Sequence, residues 1–153
     1  MTLLQFWFPD DNYHIWWFKS TNEFDKKIYN EYYNLYADTF IKFDIKNYSN
    51  SKKIINDIII LDQLSRNMKR INNEINIEKS TEYAVQLSEM WINNNLYLTE
   101  PIKYTVFALL PIRHYYKGIK NKYLLVLLDE ILAINPSIKN NIIFKKFYFH
   151  TSK

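Results

Sequence analysis

Residues 58–70 read IIILDQLSRNMKR, and this stretch decides how the rest of the chain is interpreted. A run of aliphatic side chains, dense enough to be buried on every side, ends directly in acidic, amide and basic residues. An unpaired polar group in a protein interior costs about 1–3 kcal/mol, and more if it is charged. These polar residues must therefore either pair among themselves and fix the fold or line a site.

The composition around this stretch predicts an all-α protein. The chain of 153 residues has one glycine and no cysteine, and 48% of its residues are hydrophobic. A single glycine excludes a P-loop or a GxGxxG dinucleotide loop and argues against a hairpin-rich β protein. The lack of cysteine excludes disulfides, zinc ribbons, iron–sulfur clusters and cysteine nucleophiles. We expect a single all-helical domain over residues 1–153, with a tail over about 136–153.

Hydrophobic periodicity places six helices, which we expect to stack as antiparallel hairpins. They span residues 2–8, 22–43, 52–67, 80–93, 99–118 and 121–134. The expected N-caps are Thr21 for the second helix, Ser49 or Ser51 for the third, and Thr99 for the fifth. Pro111 predicts a kink inside the fifth helix, and Gly118 is expected to end it. The apolar residues of 142–149 either dock on the body or form a short strand.

The strongest candidate site joins the polar end of the third helix to the residues beyond the predicted kink. Its members are Asp62, Gln63, Arg66, Asn67, Arg70, Arg113, His114 and Trp17. Asp62 and Arg66 stand four residues apart on one helix face, so they can form an ion pair. A carboxylate beside an imidazole can act as a general base, and arginines can hold a carboxylate or a phosphate by bidentate bonds.

A purely structural interpretation of these residues is also open, and spacing alone favours it. In that interpretation Asp62 bridges Arg66 and Arg113, while His114 caps a carbonyl freed near the kink. The tryptophans at positions 7, 16 and 17 are likewise expected in the core rather than stacked on a ligand.

The net charge of +4 comes from lysine rather than from arginine. The chain has 17 lysines and three arginines, and lysine, isoleucine, asparagine and tyrosine are all encoded by AT-rich codons. An AT-rich genome, for example a viral one, therefore explains the basic balance better than a nucleic-acid footprint does. The basic aromatic tail at 145–149 is the segment best suited to stack on bases or touch a membrane surface.

The remaining features predict a plain soluble protein. Three histidines far apart in sequence, without an HExxH motif, give no reason to expect a metal site, and we expect no cofactor. No apolar run approaches the roughly 20 residues of a membrane span, and the start has no basic leader. We therefore expect a cytoplasmic protein, in the host cytoplasm if the chain is viral, and leave its oligomeric state open.

Four motifs agree in order and spacing with one protein family. They are FWF at 6–8, WF at 17–18 followed by FD at 24–25, LDQ-x-x-RN-x-x-R at 61–70, and LP-x-x-H at 110–114. Over about residues 4–132 the chain resembles the bacterial domain-of-unknown-function family numbered 924. The pattern of that family reads roughly FWF, WF with a following FD, LDQFPRNxxRG and PLEHSE.

This resemblance implies an all-helical fold similar to tetratricopeptide-like arrays of helical hairpins, with no established activity. It also implies that the residues matching the polar signature of the family are Asp62, Gln63, Arg66, Asn67, Arg70, Trp17 and His114. The chain departs from the pattern at Leu64-Ser65, where the family has Phe-Pro, and at Ile71, where it has Gly. Tyr115-Tyr116 replaces Ser-Glu, so if that glutamate takes part in chemistry in the family, this protein has lost it.

We therefore predict first a non-enzymatic module that binds a protein or a small anionic ligand at the polar cluster. The second hypothesis is a hydrolase-like enzyme that uses His114 with Asp62, while Arg66 or Arg113 stabilises negative charge. Nucleic-acid binding is the least favoured hypothesis. An open pocket with His114 in hydrogen-bond reach of Asp62 would support the enzyme, whereas a sealed and fully paired cluster would exclude it.

Overall fold

The computed structural model describes residues 1–9, 17, 19–116 and 118–153. Within these residues the chain forms helices and no strand, which confirms the all-α class. The helices are α1 (Leu3–Trp7), α2 (Asn22–Ile41), α3 (Ser51–Ile58), α4 (Ser65–Ile71), α5 (Ile77–Asn93), α6 (Ile102–Tyr115), α7 (Ile119–Ile134) and α8 (Ile142–Thr151). Short 3₁₀ turns cover Ile45–Asn47, Leu96–Leu98 and Pro136–Asn140, and a π-helical segment, Ile59–Leu64, joins α3 to α4.

Short polar side chains cap several helices, though not always the predicted ones. Thr21 caps α2 as predicted, accepting a hydrogen bond at 3.1 Å from the backbone N–H three residues later. Asn50 caps α3 in the same way at 2.8 Å, so the prediction of Ser49 or Ser51 is wrong by one residue. Asparagine and serine are about equally good caps, and spacing could not choose between neighbouring positions.

Several predicted helix boundaries differ from the structure by a few residues. Thr99 closes the 3₁₀ turn before α6, so Pro101 occupies the N-cap position instead. α5 begins at Ile77, earlier than predicted. α6 ends at Tyr115, and Gly118 instead precedes α7 with a φ of 72°. This positive φ is accessible to glycine because it has no Cβ, so Gly118 starts the next helix rather than ending the previous one.

The π-helical segment is the main departure from the predicted third helix. The Ser65 N–H bonds to the Ile60 carbonyl five residues back, which leaves the Leu61 carbonyl without its α-helical partner. Ser65 Oγ donates to that carbonyl at 2.6 Å, and Ser80 Oγ of α5 donates to it as well. Two hydroxyl groups thus satisfy a backbone oxygen that the π geometry releases.

The helices pack around this segment, which is buried along its whole length. α2 packs on α4 and on the π-helical segment, α5 packs on α6, and α6 also contacts α3, α7 and α8. The arrangement as a tetratricopeptide-like array and the single domain remain predictions. Across the described residues, no helix is long and apolar enough to cross a membrane.

The C-terminal tail docks as helix α8, so the alternative of a short strand is wrong. Ile143, Phe144 and Phe147 are buried, and α8 contacts α6 and α7. Phe147 is therefore used in packing rather than presented to a base, while Phe149 is exposed.

The N-terminal tryptophans lie in the core, as predicted, although Trp16 lies outside the described residues. The ring centroid of Trp17 is 5.2 Å from that of Phe107 on α6, and its indole N–H donates to the Trp7 carbonyl at 2.9 Å. These contacts hold the N-terminal segment against α6, beside the polar end of the π-helical segment.

Candidate functional site: a pocket with three arginines

An open pocket of about 230 Å³ lies where α4, α6 and the N-terminal segment meet. It is lined by Trp7, Trp17, Ser20, Gln63, Arg66, Asn67, Arg70, Leu110, Arg113 and His114. The structure thus brings every predicted site residue except Asp62 to one pocket. Asp62 is fully buried and hydrogen-bonded to residues of the lining.

Asp62 lies beneath the pocket and connects three of its residues. Its Oδ1 is 3.0 Å from His114 Nδ1 and 3.5 Å from Arg66 Nη2. Its Oδ2 accepts a hydrogen bond from Gln63 Nε2 at 2.9 Å. Because Asp62 belongs to the π-helical segment and His114 to α6, this carboxylate ties the two elements together.

The Asp62 carboxylate is ionised at neutral pH. Burial alone raises its pKa, but the charge and hydrogen bond of His114, the charge of Arg66 and the hydrogen bond of Gln63 together hold the pKa below its ordinary value of 3.8. An anionic Asp62 accepts the Nδ1–H of the imidazole. In the neutral ring the lone pair then lies on Nε2, the nitrogen left for a ligand in the pocket.

A second buried carboxylate, Asp25 in the first turn of α2, holds other residues of the pocket. Arg70 donates to both of its oxygens, from Nε at 2.7 Å and from Nη2 at 3.0 Å. Ser20 Oγ and Asn67 Nδ2 donate to Oδ1 at 2.7 and 2.9 Å. Burial raises the pKa of Asp25, but these hydrogen bonds and the Arg70 charge lower it below 3.8.

Asp25 and Ser20 belong to the site, although neither was predicted as a site residue. For Asp25 the signal was available, since the FD motif that contains it is part of the family resemblance. No sequence signal marked Ser20, because its role depends on where the carboxylate of Asp25 lies.

Arg113 reaches the pocket from α6 and is held by α8. Its Nη1 lies 3.4 Å from both the Phe147 carbonyl oxygen and Thr151 Oγ1. The guanidinium carbon is 4.8 Å from the centroid of the Phe147 ring, a cation–π contact. Burial lowers the pKa of Arg113, although the negative charge of Asp62 opposes this effect.

The structural interpretation from sequence is therefore wrong about two partners. Asp62 bridges Arg66 but bonds to His114 rather than to Arg113. His114 uses Nδ1 for this carboxylate and not for a freed carbonyl. The docked helix α8 supplies the partners of Arg113, and nothing in the spacing of residues 62–114 could indicate this.

The pocket contains all three arginines of the chain and none of the described lysines. Arg66 is positioned further by Thr81 Oγ1 of α5, which its Nη2 reaches at 3.2 Å. The described hydrogen bonds use a minority of the N–H donors of each guanidinium, so donors remain for an anion. Within the described ranges, no three His, Asp or Glu side chains are placed to hold a metal ion.

Comparison with known proteins places the chain in a family. No curated protein and no solved structure matches it. The family described as "Bacterial protein of unknown function (DUF924)" matches residues 3–149, which extends the motif resemblance through most of α8. The match covers nearly the whole chain, and the protein therefore belongs to this family.

Proposed function

We propose that the protein is a binding module for a small anionic ligand, held in the pocket with three arginines. One observation carries this proposal: every arginine of a lysine-rich chain lines the same pocket. Lysine dominates elsewhere, so a distribution set by composition alone would not collect the arginines in one place. Guanidinium groups differ from ammonium groups in offering a planar fork that binds carboxylate and phosphate oxygens.

The charge balance of the pocket supports an anion. Three guanidinium groups face two carboxylates, and neither Asp25 nor Asp62 is exposed by more than 4%. Both carboxylates are held by hydrogen bonds from the pocket residues themselves. The surface offered to a ligand is therefore dominated by positive charge and N–H donors.

The size of the pocket supports a small ligand. Its volume of about 230 Å³ lies below the roughly 300–1,000 Å³ typical of sites for drug-sized molecules. Binding of a protein partner, the other form of this hypothesis, would require a surface beyond this pocket and remains a prediction.

The proposal is tested by isothermal titration calorimetry with small anions at constant ionic strength. We expect saturable binding by the wild type and a loss of about tenfold or more in affinity for Arg70→Gln, since charge-assisted hydrogen bonds contribute about 1.5–3 kcal/mol. Lys42→Gln is the matched control, because it removes the same charge from a side chain that is 75% exposed. Equal losses in both variants, or no saturable binding of any anion, would contradict the proposal.

A second candidate function, hydrolysis of an anionic ester, is favoured by one observation. His114 lies in an open pocket with Nδ1 held by a buried carboxylate, the arrangement that orients a general base. Nε2 could take a proton from water while the water oxygen attacks the ester. The bond to the leaving oxygen then breaks, the leaving group departs as an anion, and the arginines would stabilise the developing negative charge. Tyr115, the residue after His114, has no part in this step. Its hydroxyl lies 3.5 Å from Glu82 Oε1, and it does not line the pocket.

The enzyme hypothesis is tested with p-nitrophenyl phosphate, whose leaving group needs no acid. We expect the wild type to release p-nitrophenol and His114→Asn to be slower by about 100-fold or more, the usual contribution of a general base. Asparagine retains a donor for Asp62, so the variant removes Nε2 with little effect on the fold. Equal rates in both proteins would exclude this function and leave the binding module intact.

A further inference from the structure

We propose that the pocket with three arginines binds a phosphoryl dianion, either orthophosphate or the terminal group of a small phosphomonoester. This inference rests on the proposed binding function and names the chemistry of its ligand. It follows from the number of guanidinium groups, the two helices that carry them and the presence of an imidazole among them.

The number of guanidinium groups exceeds what one carboxylate can use. Arg70 shows this within the molecule, since its single guanidinium donates to both oxygens of Asp25 at 2.7 and 3.0 Å. One such fork would engage both oxygens of a ligand carboxylate, which leaves the other two guanidinium groups with no free carboxylate oxygen to pair with one to one. A phosphoryl group presents three strong acceptor oxygens and a charge of about −1.5 to −2 at neutral pH, so it can engage several forks at once.

The guanidinium groups also approach the pocket from two helices. Arg66 and Arg70 stand one helical turn apart on α4, whereas Arg113 comes from α6. A planar carboxylate has its acceptors in one plane, but the oxygens of a tetrahedral phosphoryl group point in different directions. Donors carried by separate helices around one pocket therefore fit the tetrahedral group better.

The neutral polar residues of the pocket do not change this preference for a phosphoryl group over a carboxylate. Ser20 and Asn67 already donate to Asp25, and the amide N–H of Gln63 donates to Asp62. These groups fix the two carboxylates. The contacts left for a ligand come chiefly from the guanidinium groups and from Nε2 of His114.

His114 adds a further reason to prefer a phosphoryl group. Nδ1 is held by Asp62 at 3.0 Å, so Nε2 is the ring nitrogen that a ligand can contact. A phosphoryl group has three oxygens, one of which can share a hydrogen bond with Nε2 while the others bind guanidinium groups. A carboxylate has only two oxygens, and one guanidinium fork engages both.

Calorimetric titration of the full chain at pH 7 and constant ionic strength separates the outcomes. The probes are inorganic phosphate, glycerol phosphate, succinate and acetate. We expect at least one phosphate probe to bind about tenfold or more tightly than succinate and acetate, because it engages additional charge-assisted hydrogen bonds. Inorganic phosphate binding better than glycerol phosphate would identify orthophosphate as the source, and the reverse order would identify a monoester.

Two variants test the geometry. Arg66→Lys keeps the charge but loses the fork, so it should weaken phosphate binding by about tenfold while Lys42→Arg, on the exposed surface, leaves it unchanged. His114→Asn should weaken phosphate more than succinate, and a urea unfolding curve checks that each variant is folded.

Succinate or acetate binding as tightly as both phosphate probes would overturn this inference and leave the proposed anion-binding function standing. The absence of saturable binding by all four probes would overturn both.

Discussion

The two buried carboxylates beside the pocket, Asp25 and Asp62, both keep their negative charge in the protein interior, but they do so with different partners. Both are almost without exposed surface, at 4% and 0%, and both have pKa values held below the ordinary range by partners that outweigh burial. Asp25 is satisfied by Arg70, whose side chain is 51% exposed. Asp62 is satisfied by His114, which is 24% exposed, and by Arg66 at 34%.

The difference lies in what each carboxylate leaves at the pocket. Asp25 accepts two hydrogen bonds from Arg70 and so holds a guanidinium group beside the pocket. Asp62 orients an imidazole and leaves its second nitrogen at the pocket. Two carboxylates of nearly equal burial thus position two different kinds of ligand-binding group.

The largest effect is expected from Asp62→Ala. Removing one partner of a buried charge cluster costs about 3–5 kcal/mol, because Arg66 and His114 lose their counter-charge where water does not fully replace it. Urea unfolding measures this as a loss in the free energy of unfolding. Asp38→Ala is the control, since Asp38 also bridges a lysine at i,i+4 but is 58% exposed; it should cost no more than about 0.5 kcal/mol. Similar losses in the two variants would contradict the role of Asp62 as the buried partner of Arg66 and His114.

A smaller effect, about 1–3 kcal/mol, is expected from Asp25→Ala. Arg70 is half exposed and can turn to water once its carboxylate is removed, although Asn67 loses a buried acceptor. The same urea measurement applies. The comparison of the two carboxylates predicts that Asp62→Ala lowers the free energy of unfolding more than Asp25→Ala does. The reverse order would contradict this comparison.

The placement of Asp62 also depends on the π-helical segment, which Ser65→Ala probes. The Ser65 hydroxyl donates to the Leu61 carbonyl at 2.6 Å, so its removal should cost about 1 kcal/mol. Ser88→Ala is the matched control, because Ser88 is equally buried on α5 and donates at 3.1 Å to the carbonyl of Ala84, four residues back in an α-helix. We expect Ser88→Ala to cost less, and equal costs would indicate that the π-helical segment needs no help from Ser65.

The smallest expected effect is a change in the pH dependence of stability, which these two carboxylates influence only in acid. The folded-state pKa values of Asp25 and Asp62 lie below the unfolded value of 3.8, so both carboxylates stabilise the fold above pH 3.8. That contribution is lost as pH falls below 3.8 and through the folded pKa values. Asp25→Asn and Asp62→Asn should therefore lose less stability than the wild type over this acid window, as measured by urea unfolding at stepwise lower pH. A slope as steep as that of the wild type in both variants would assign acid unfolding to other carboxylates.

Much of the helical framework was predictable because it depends on local pattern. The apolar periodicity of residues 22–41 and the Thr21 cap locate α2 almost to the residue, since both act within a few positions along the chain. The candidate site was predictable for a related reason. Polar residues directly after the IIIL run at 58–61 required partners, and the arginines stood out in a lysine-rich chain.

The partners of those residues were not predictable, because they come from distant parts of the chain. Asp25 lies 45 residues before Arg70, and the Ser80 hydroxyl that supports the π-helical segment comes from α5. Arg113 contacts α8 because that helix docks nearby, and the tail sequence left open both docking on the body and a short strand.

The sequence by itself thus determined that the protein is helical, that a polar cluster ends a buried helix, and which residue types form that cluster. Only the tertiary structure decided that His114 meets Asp62, that Arg70 meets Asp25, and that the three arginines face one pocket. The physical reason is the separation along the chain over which each interaction acts. Periodicity and capping act over one or two helical turns, whereas the pairing of buried charges is settled by which helices pack together.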